Sequence, residues 1–143
     1  MTIRSVLVRS AVAATAVTGL LLGLAGPSAA SSGHWISGYN SDRGAKVEGT
    51  LIEPTSGCDY AKVKSDGAAK IYDTDGDGNG AIAYLITYKC GTGTKQITKL
   101  GSVSGEGRSA LLSSVTVYNV SSAALQVCEY YGDDQFIDCV TYG

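Results

Sequence analysis

Ala124–Tyr142 reads ALQVCEYYGDDQFIDCVTY. Two β-prone runs, Ala124–Tyr131 and Gln135–Tyr142, flank a short polar turn. A turn at Asp133-Asp134, or a four-residue loop from Gly132 to Gln135, pairs residues whose numbers sum to 267. Cys128 and Cys139 satisfy that sum, so they stand directly opposite on one face of a hairpin. Cross-strand Cβ atoms lie about 4.5–5.5 Å apart, within reach of a disulfide. Cys58 and Cys90 then pair by exclusion. On the loop-entropy argument the Cys128–Cys139 and Cys58–Cys90 bridges stabilise by about 3 and 4 kcal/mol.

The same register places Glu129 opposite Asp138, on the face that carries Leu125, Val127, Tyr131, Phe136, Val140 and Tyr142. Like charges directly opposite destabilise a strand pair, and burial worsens this. One expectation is that the hairpin twists out of the core there and leaves both acids solvated. A second is that the pair holds a cation, a lysine or an arginine. A third makes Glu129 and Asp138 the acid/base pair of a glycoside hydrolase.

The rest of the chain reads as strands and turns. Apolar residues show no helical period, and Gly, Ser and Thr recur every few positions. The expected strands are Ala45–Ile52, Tyr60–Lys64, Ala68–Asp73, Ala81–Cys90, Lys95–Val103, Ala110–Val120, Ala124–Tyr131 and Gln135–Tyr142. Asp66-Gly67 fits a two-residue hairpin turn, and 91–94, Gly-Thr-Gly-Thr, a longer one. Short strands at near-regular spacing point to an all-β fold, a small antiparallel β-sandwich or Greek-key barrel. Ile82, Tyr84, Ile86, Tyr88 and Cys90 alternate as a core stripe, with a tyrosine-lined sugar platform as the alternative.

The first thirty residues have a different character. Arg4 and Arg9 precede an uncharged stretch rich in Ala, Val and Leu, and Pro27-Ser28-Ala29-Ala30 follows. A basic start, a short apolar run and small residues form the pattern of a secretory signal peptide. The run is about fifteen residues, short of the ~20 that span a bilayer. The expected domain plan is a signal peptide over 1–30, an irregular N-terminal arm over 31–43 and a single β domain over 44–143. Removal of 1–30 leaves 113 of the 143 residues, with 9 basic and 13 acidic groups. That balance carries no basic footprint for nucleic acid, and no second apolar run suggests a membrane. Four cysteines in an exported chain read as disulfides. Their spacings of 32, 38 and 11 do not suit a thiolate metal site.

Residues 73–80, DTDGDGNG, hold the remaining chemistry. Oxygen donors alternate at Asp73, Asp75, Asp77 and Asn79, with Gly78 where a Ca²⁺ loop turns sharply. This resembles the first half of an EF-hand loop, in which alternate side chains converge on a hard cation. Position twelve is Tyr84, so the bidentate acid is missing, and the flanks read as strands. Glu53 or Asp59 are candidates for an oxygen from elsewhere. A polar turn that binds nothing is the competing reading, and no cofactor is required by the sequence.

His34 is the only imidazole, too little to build a catalytic triad. Trp35 is expected to plug one end of the fold. Asn119-Val120-Ser121 is a glycosylation sequon in a strand. The functional expectation is a secreted, extracellular, monomeric and non-catalytic module that binds a protein or a polysaccharide. A carbohydrate-active enzyme using Glu129 and Asp138, and a structural surface or spore-coat component, are the alternatives.

Overall fold

The structure, a computed structural model, describes residues 33–55, 57–132 and 135–143. The expected signal peptide and the Asp133-Asp134 turn lie outside these residues. Nine strands are present among them and no helix: β1 (His34–Tyr39), β2 (Ala45–Ile52), β3 (Asp59–Lys64), β4 (Lys70–Asp73), β5 (Gly80–Lys89), β6 (Lys95–Ser104), β7 (Ser109–Leu111), β8 (Val115–Tyr131) and β9 (Gln135–Tyr142). Every pairing is antiparallel, and all nine strands join one continuous sheet.

The sheet curls because of β8. Its first half pairs β3 and its second half pairs β5. At the crossover Asn119 adopts φ 60°, and both partner strands shift register there, at Asp59/Tyr60 and Tyr88/Lys89. Asn is one of the few residues that enter this backbone region at low cost, and paired bulges bend a strand. The two expected strands Ala110–Val120 and Ala124–Tyr131 are therefore redrawn as the short β7 and the 17-residue β8.

Curling brings two inner faces together. Ala45, Val47 and Leu51 of β2, Val63 of β3 and Ile71 of β4 share one core with Ala81, Ala83 and Leu85 of β5, Leu100 of β6, and Leu125 and Val127 of β8. The core stripe of β5 is thus the set Ala81, Ala83, Leu85 and Thr87. The expected stripe has the other parity: its Ile82 and Ile86 are buried, but Tyr84 is half-buried and Tyr88 is 39% exposed. Period-2 alternation does not say which face is inner when both carry apolar residues.

The 31–43 arm is also corrected. His34–Tyr39 pairs along β2, with Ile36 buried. Gly38 lies under the Tyr142 ring, where a Cβ would come within 2.2 Å of a ring carbon, and the Tyr142 hydroxyl donates to the Tyr39 carbonyl. Trp35 does not plug the fold: it faces outward, 49% exposed. Asp66-Gly67 does not close a hairpin, because β3 and β4 both pair β2 rather than each other. The 91–94 turn does close the β5–β6 hairpin, with Gly91 and Gly93 at positive φ and Lys89 N donating to Thr94 O.

Both disulfides are present, Cys58–Cys90 and Cys128–Cys139. Cys128–Cys139 joins directly paired residues of β8 and β9. The register beyond it differs from expectation. Tyr131 pairs Gln135 and Tyr130 pairs Phe136, a sum of 266. The register slips by one between Cys128 and Tyr130, so Ile137 and Asp138 together stand opposite Glu129. This one-residue bulge on β9 separates the two acids expected to face each other.

Candidate acidic site

Glu129 is 2% exposed, so the expectation of two solvated acids does not hold for it. Its odd position on β8 directs it to the inner side with Leu125 and Val127. At this end of the sheet the core gives way to loops. The β1–β2 turn, residues 40–44, and the β4–β5 loop, residues 74–79, close over it. Gly44 is the contact point: a Cβ there would fall 1.4 Å from Glu129 Oε1 and 2.7 Å from Asp75 Oδ2. Only glycine lets the turn backbone lie against both carboxylates.

The result is a cluster of carboxylates. Asp75, Asp77 and Glu129 each present an oxygen, and the three oxygens lie within 4.8 Å of one another. No lysine or arginine forms an ion pair with any of them among the described residues. Glu129 Oε1 is buried and has no hydrogen-bond partner. Burial, then the charge of Asp42, push the Glu129 carboxyl up to about 7, with Asp75 and Asp77 adding to the rise and a hydrogen bond from Asn40 opposing it. Burial and the neighbouring Asp77, Asp73 and Asp42 raise Asp75 as well. Desolvation and like charge both disfavour the ionised form of a carboxylic acid.

The turn beside the cluster is itself well ordered. Asn40 Oδ1 accepts from Ala45 N at 2.8 Å, and Asn40 Nδ2 donates to Asp42 Oδ1 at 2.6 Å. Thr74 N donates to Gly44 O at 2.8 Å, and the Thr74 hydroxyl donates to Arg43 O. Asp138 braces the turn from outside. Its carboxylate accepts from Ser41 N at 2.6 Å, Ser41 Oγ at 3.0 Å and Asp42 N at 3.3 Å.

The sequence motif at 73–79 is split between two tasks. Gly78 makes the expected sharp turn at φ 89°. Asp75 and Asp77 belong to the cluster. Asp73 does not belong to it: it is buried, and its Oδ2 accepts from Gly105 N at 2.6 Å, tying the β4 end to the β6–β7 loop. Asn79 holds Asp77 rather than joining the cluster, with its N donating to Asp77 Oδ1 at 2.8 Å and its Nδ2 donating to Asp77 Oδ2. The distant oxygen comes from Glu129, not from Glu53 or Asp59. Glu53 stands 3.9 Å from His34 instead. Asn40, Asp42 and Gly44 were not singled out in the sequence. Their only signal was a polar, glycine-containing turn before a strongly alternating strand. Asp75 also lines an open cleft of about 570 Å³ with Asp73, Asn79, Ser104, Glu106 and Arg108.

A second surface lies on the outer face of β6-β5-β8-β9. Register places Tyr84, Ile86 and Tyr88 beside Ile97, Lys95 and Lys99 of β6 and beside Gln126 of β8. Gln126 Nε2 donates to Thr141 Oγ1 at 3.2 Å. Phe136 meets Tyr84 edge-on at 5.6 Å between centroids. Ile82 and Ile86 are buried at the base of this face, while Ile97 and Phe136 are about half exposed, at 56% and 49%.

No protein family, curated protein or solved structure matches the chain. The class that fold and site define is an all-β, disulfide-bonded domain made of one curled antiparallel sheet. No helix among the described residues is long and apolar enough to cross a membrane.

Proposed function

We propose that the protein is a small exported, non-catalytic binding module, a two-layer β-sandwich that presents the outer face of β6-β5-β8-β9 to a polysaccharide chain. The observation that carries this reading is the apolar band of Phe136, Ile97 and Tyr88 on one sheet face, with Tyr84 edge-on to Phe136. Aromatic rings offer apolar area to the faces of sugar rings, and Phe136, Ile97 and Tyr88 leave apolar area exposed on this face. Lys95, Lys99, Gln126 and Thr141 on the same face supply hydrogen-bonding groups for hydroxyls. Two disulfides suit an oxidising compartment, and residues 1–30 have the composition of an export signal.

The alternative of a carbohydrate-active enzyme using Glu129 and Asp138 has less support. Glu129 and Asp138 are not cross-strand partners, and Asp138 is engaged by the 40–44 turn. The test is retention of the oxidised protein on insoluble cell-wall polysaccharides, with Phe136→Ser and Tyr84→Ser alongside wild type. Retention of wild type and loss in both folded variants is expected. Equal retention of all three, or none of wild type, would remove the reading.

A further inference from the structure

The acidic cluster sits apart from the proposed sugar-binding face, under the 40–44 turn. Three acidic side chains in one place are not by themselves a site. Glu129 makes the difference. Its carboxylate is almost fully withdrawn from water, one oxygen has no partner, and that carboxylate is directed at Asp75 and Asp77. A buried unpaired acceptor costs about 1–3 kcal/mol, more when charged. Among the described residues no lysine or arginine forms an ion pair with the cluster to offset that cost. The 40–44 turn meanwhile presses its backbone onto the carboxylates through Gly44.

We propose that Asp75, Asp77 and Glu129 bind one hard divalent cation of the Ca²⁺ class. The donors are carboxylate oxygens only, with no imidazole or thiolate, which selects a hard ion over Zn²⁺ or Cu²⁺. Three oxygens within 4.8 Å of one another share a point no farther than about 2.8 Å (the side divided by √3) from each. Ca²⁺ bonds oxygen at about 2.3–2.6 Å and tolerates irregular coordination, so a shift of a few tenths of an ångström completes contact. Mg²⁺ demands about 2.0–2.1 Å and octahedral geometry, a tighter contraction. Glu129 of β8, far away in sequence, takes the place of the missing twelfth-position acid of the loop motif. The cation joins the β4–β5 loop to β8, beneath the β1–β2 turn. Asn79 is a positioning residue, since it orients Asp77.

The test is calorimetric titration of the oxidised, chelator-treated protein with CaCl₂ and separately with MgCl₂, for wild type, Glu129→Gln, Asp75→Asn and Asp66→Asn. Asp66 lies in the distant 65–69 segment and serves as the control for diffuse charge. Circular dichroism establishes that each variant is folded. One Ca²⁺ per chain is expected, with Kd in the 10⁻⁴–10⁻³ M range of extracellular modules. Affinity should fall at least tenfold in Glu129→Gln and in Asp75→Asn, and stay within twofold in Asp66→Asn. Any of three results would overturn the proposal: no saturable Ca²⁺ binding by wild type, equal binding by Glu129→Gln, or tighter binding of Mg²⁺ than of Ca²⁺.

Discussion

Replacing Glu129 by Gln should stabilise the protein in one buffer and remove a stabilisation in another. The side chains have the same shape, so packing under Gly44 is kept and only the charge is lost. Folding raises the Glu129 carboxyl from its ordinary 4.5 to about 7. A carboxyl whose pKa rises on folding binds a proton on folding. Its contribution is fully present below pH 4.5 and is lost as pH climbs through 7. At pH 8 the ionised carboxylate therefore costs up to about 3 kcal/mol, at about 1.4 kcal/mol for each unit of difference. In a chelator at pH 8, Glu129→Gln should be more stable than wild type by up to that amount. In CaCl₂ at a hundred times the wild-type Kd, wild type should gain about 2.7 kcal/mol, and a variant bound at least tenfold more weakly should gain no more than about 1.4 kcal/mol. At pH 5 in chelator the two proteins should nearly coincide. The assay is urea denaturation of the oxidised proteins, followed by circular dichroism. A variant less stable than wild type by 1 kcal/mol or more at pH 8 in chelator would refute the reasoning, because it would show that the Glu129 carboxylate is already well paired.

Four further outcomes are expected. Gly44→Ala places a methyl on Glu129 Oε1, so it should weaken Ca²⁺ binding at least tenfold and destabilise by about 1–3 kcal/mol, read by calorimetry and urea denaturation. Asp138→Ala removes the acceptor for Ser41 and Asp42, so it should cost about 1–3 kcal/mol and speed amide exchange at Ser41 and Asp42 by NMR. Wild type in chelator should lose stability steadily in urea denaturation between about pH 5 and pH 7, where unfolding releases the Glu129 proton, and saturating Ca²⁺ should flatten that slope. Removing the Cys58–Cys90 bridge by Ser substitution of both residues should cost about 4 kcal/mol on the loop-entropy argument, measured by the urea midpoint.

Some of this was legible in the sequence because it depends on local rules. β2 and β9 have the limits that alternation and turn residues set. The Cys128–Cys139 pairing followed from hairpin symmetry and survives, because the slip of one residue lies between that pair and the turn. The slip itself left no mark in the residue types. It decides that Glu129 and Asp138 part, one going under the 40–44 turn and the other outside it. β1 was missed because its inward residues are only Ile36 and Gly38, too little apolar signal for an edge strand whose second inner position must be empty to admit Tyr142. Asp73, Asp75 and Asp77 looked equivalent in the motif. Burial separates them: Asp73 sits at the closed end of β4, where a backbone N–H claims it. The partner for the other two lies more than fifty residues away, and the β5–β8 pairing, which sets Glu129 opposite Ala81, brings it near.

The most direct measurement is anomalous diffraction from crystals of the oxidised protein grown with Tb³⁺ in place of Ca²⁺. A single strong peak is predicted among the carboxylates of Asp75, Asp77 and Glu129, beneath the Gly44 backbone. A peak beside Asp73 and Gly105, or no peak near Glu129, would contradict the account.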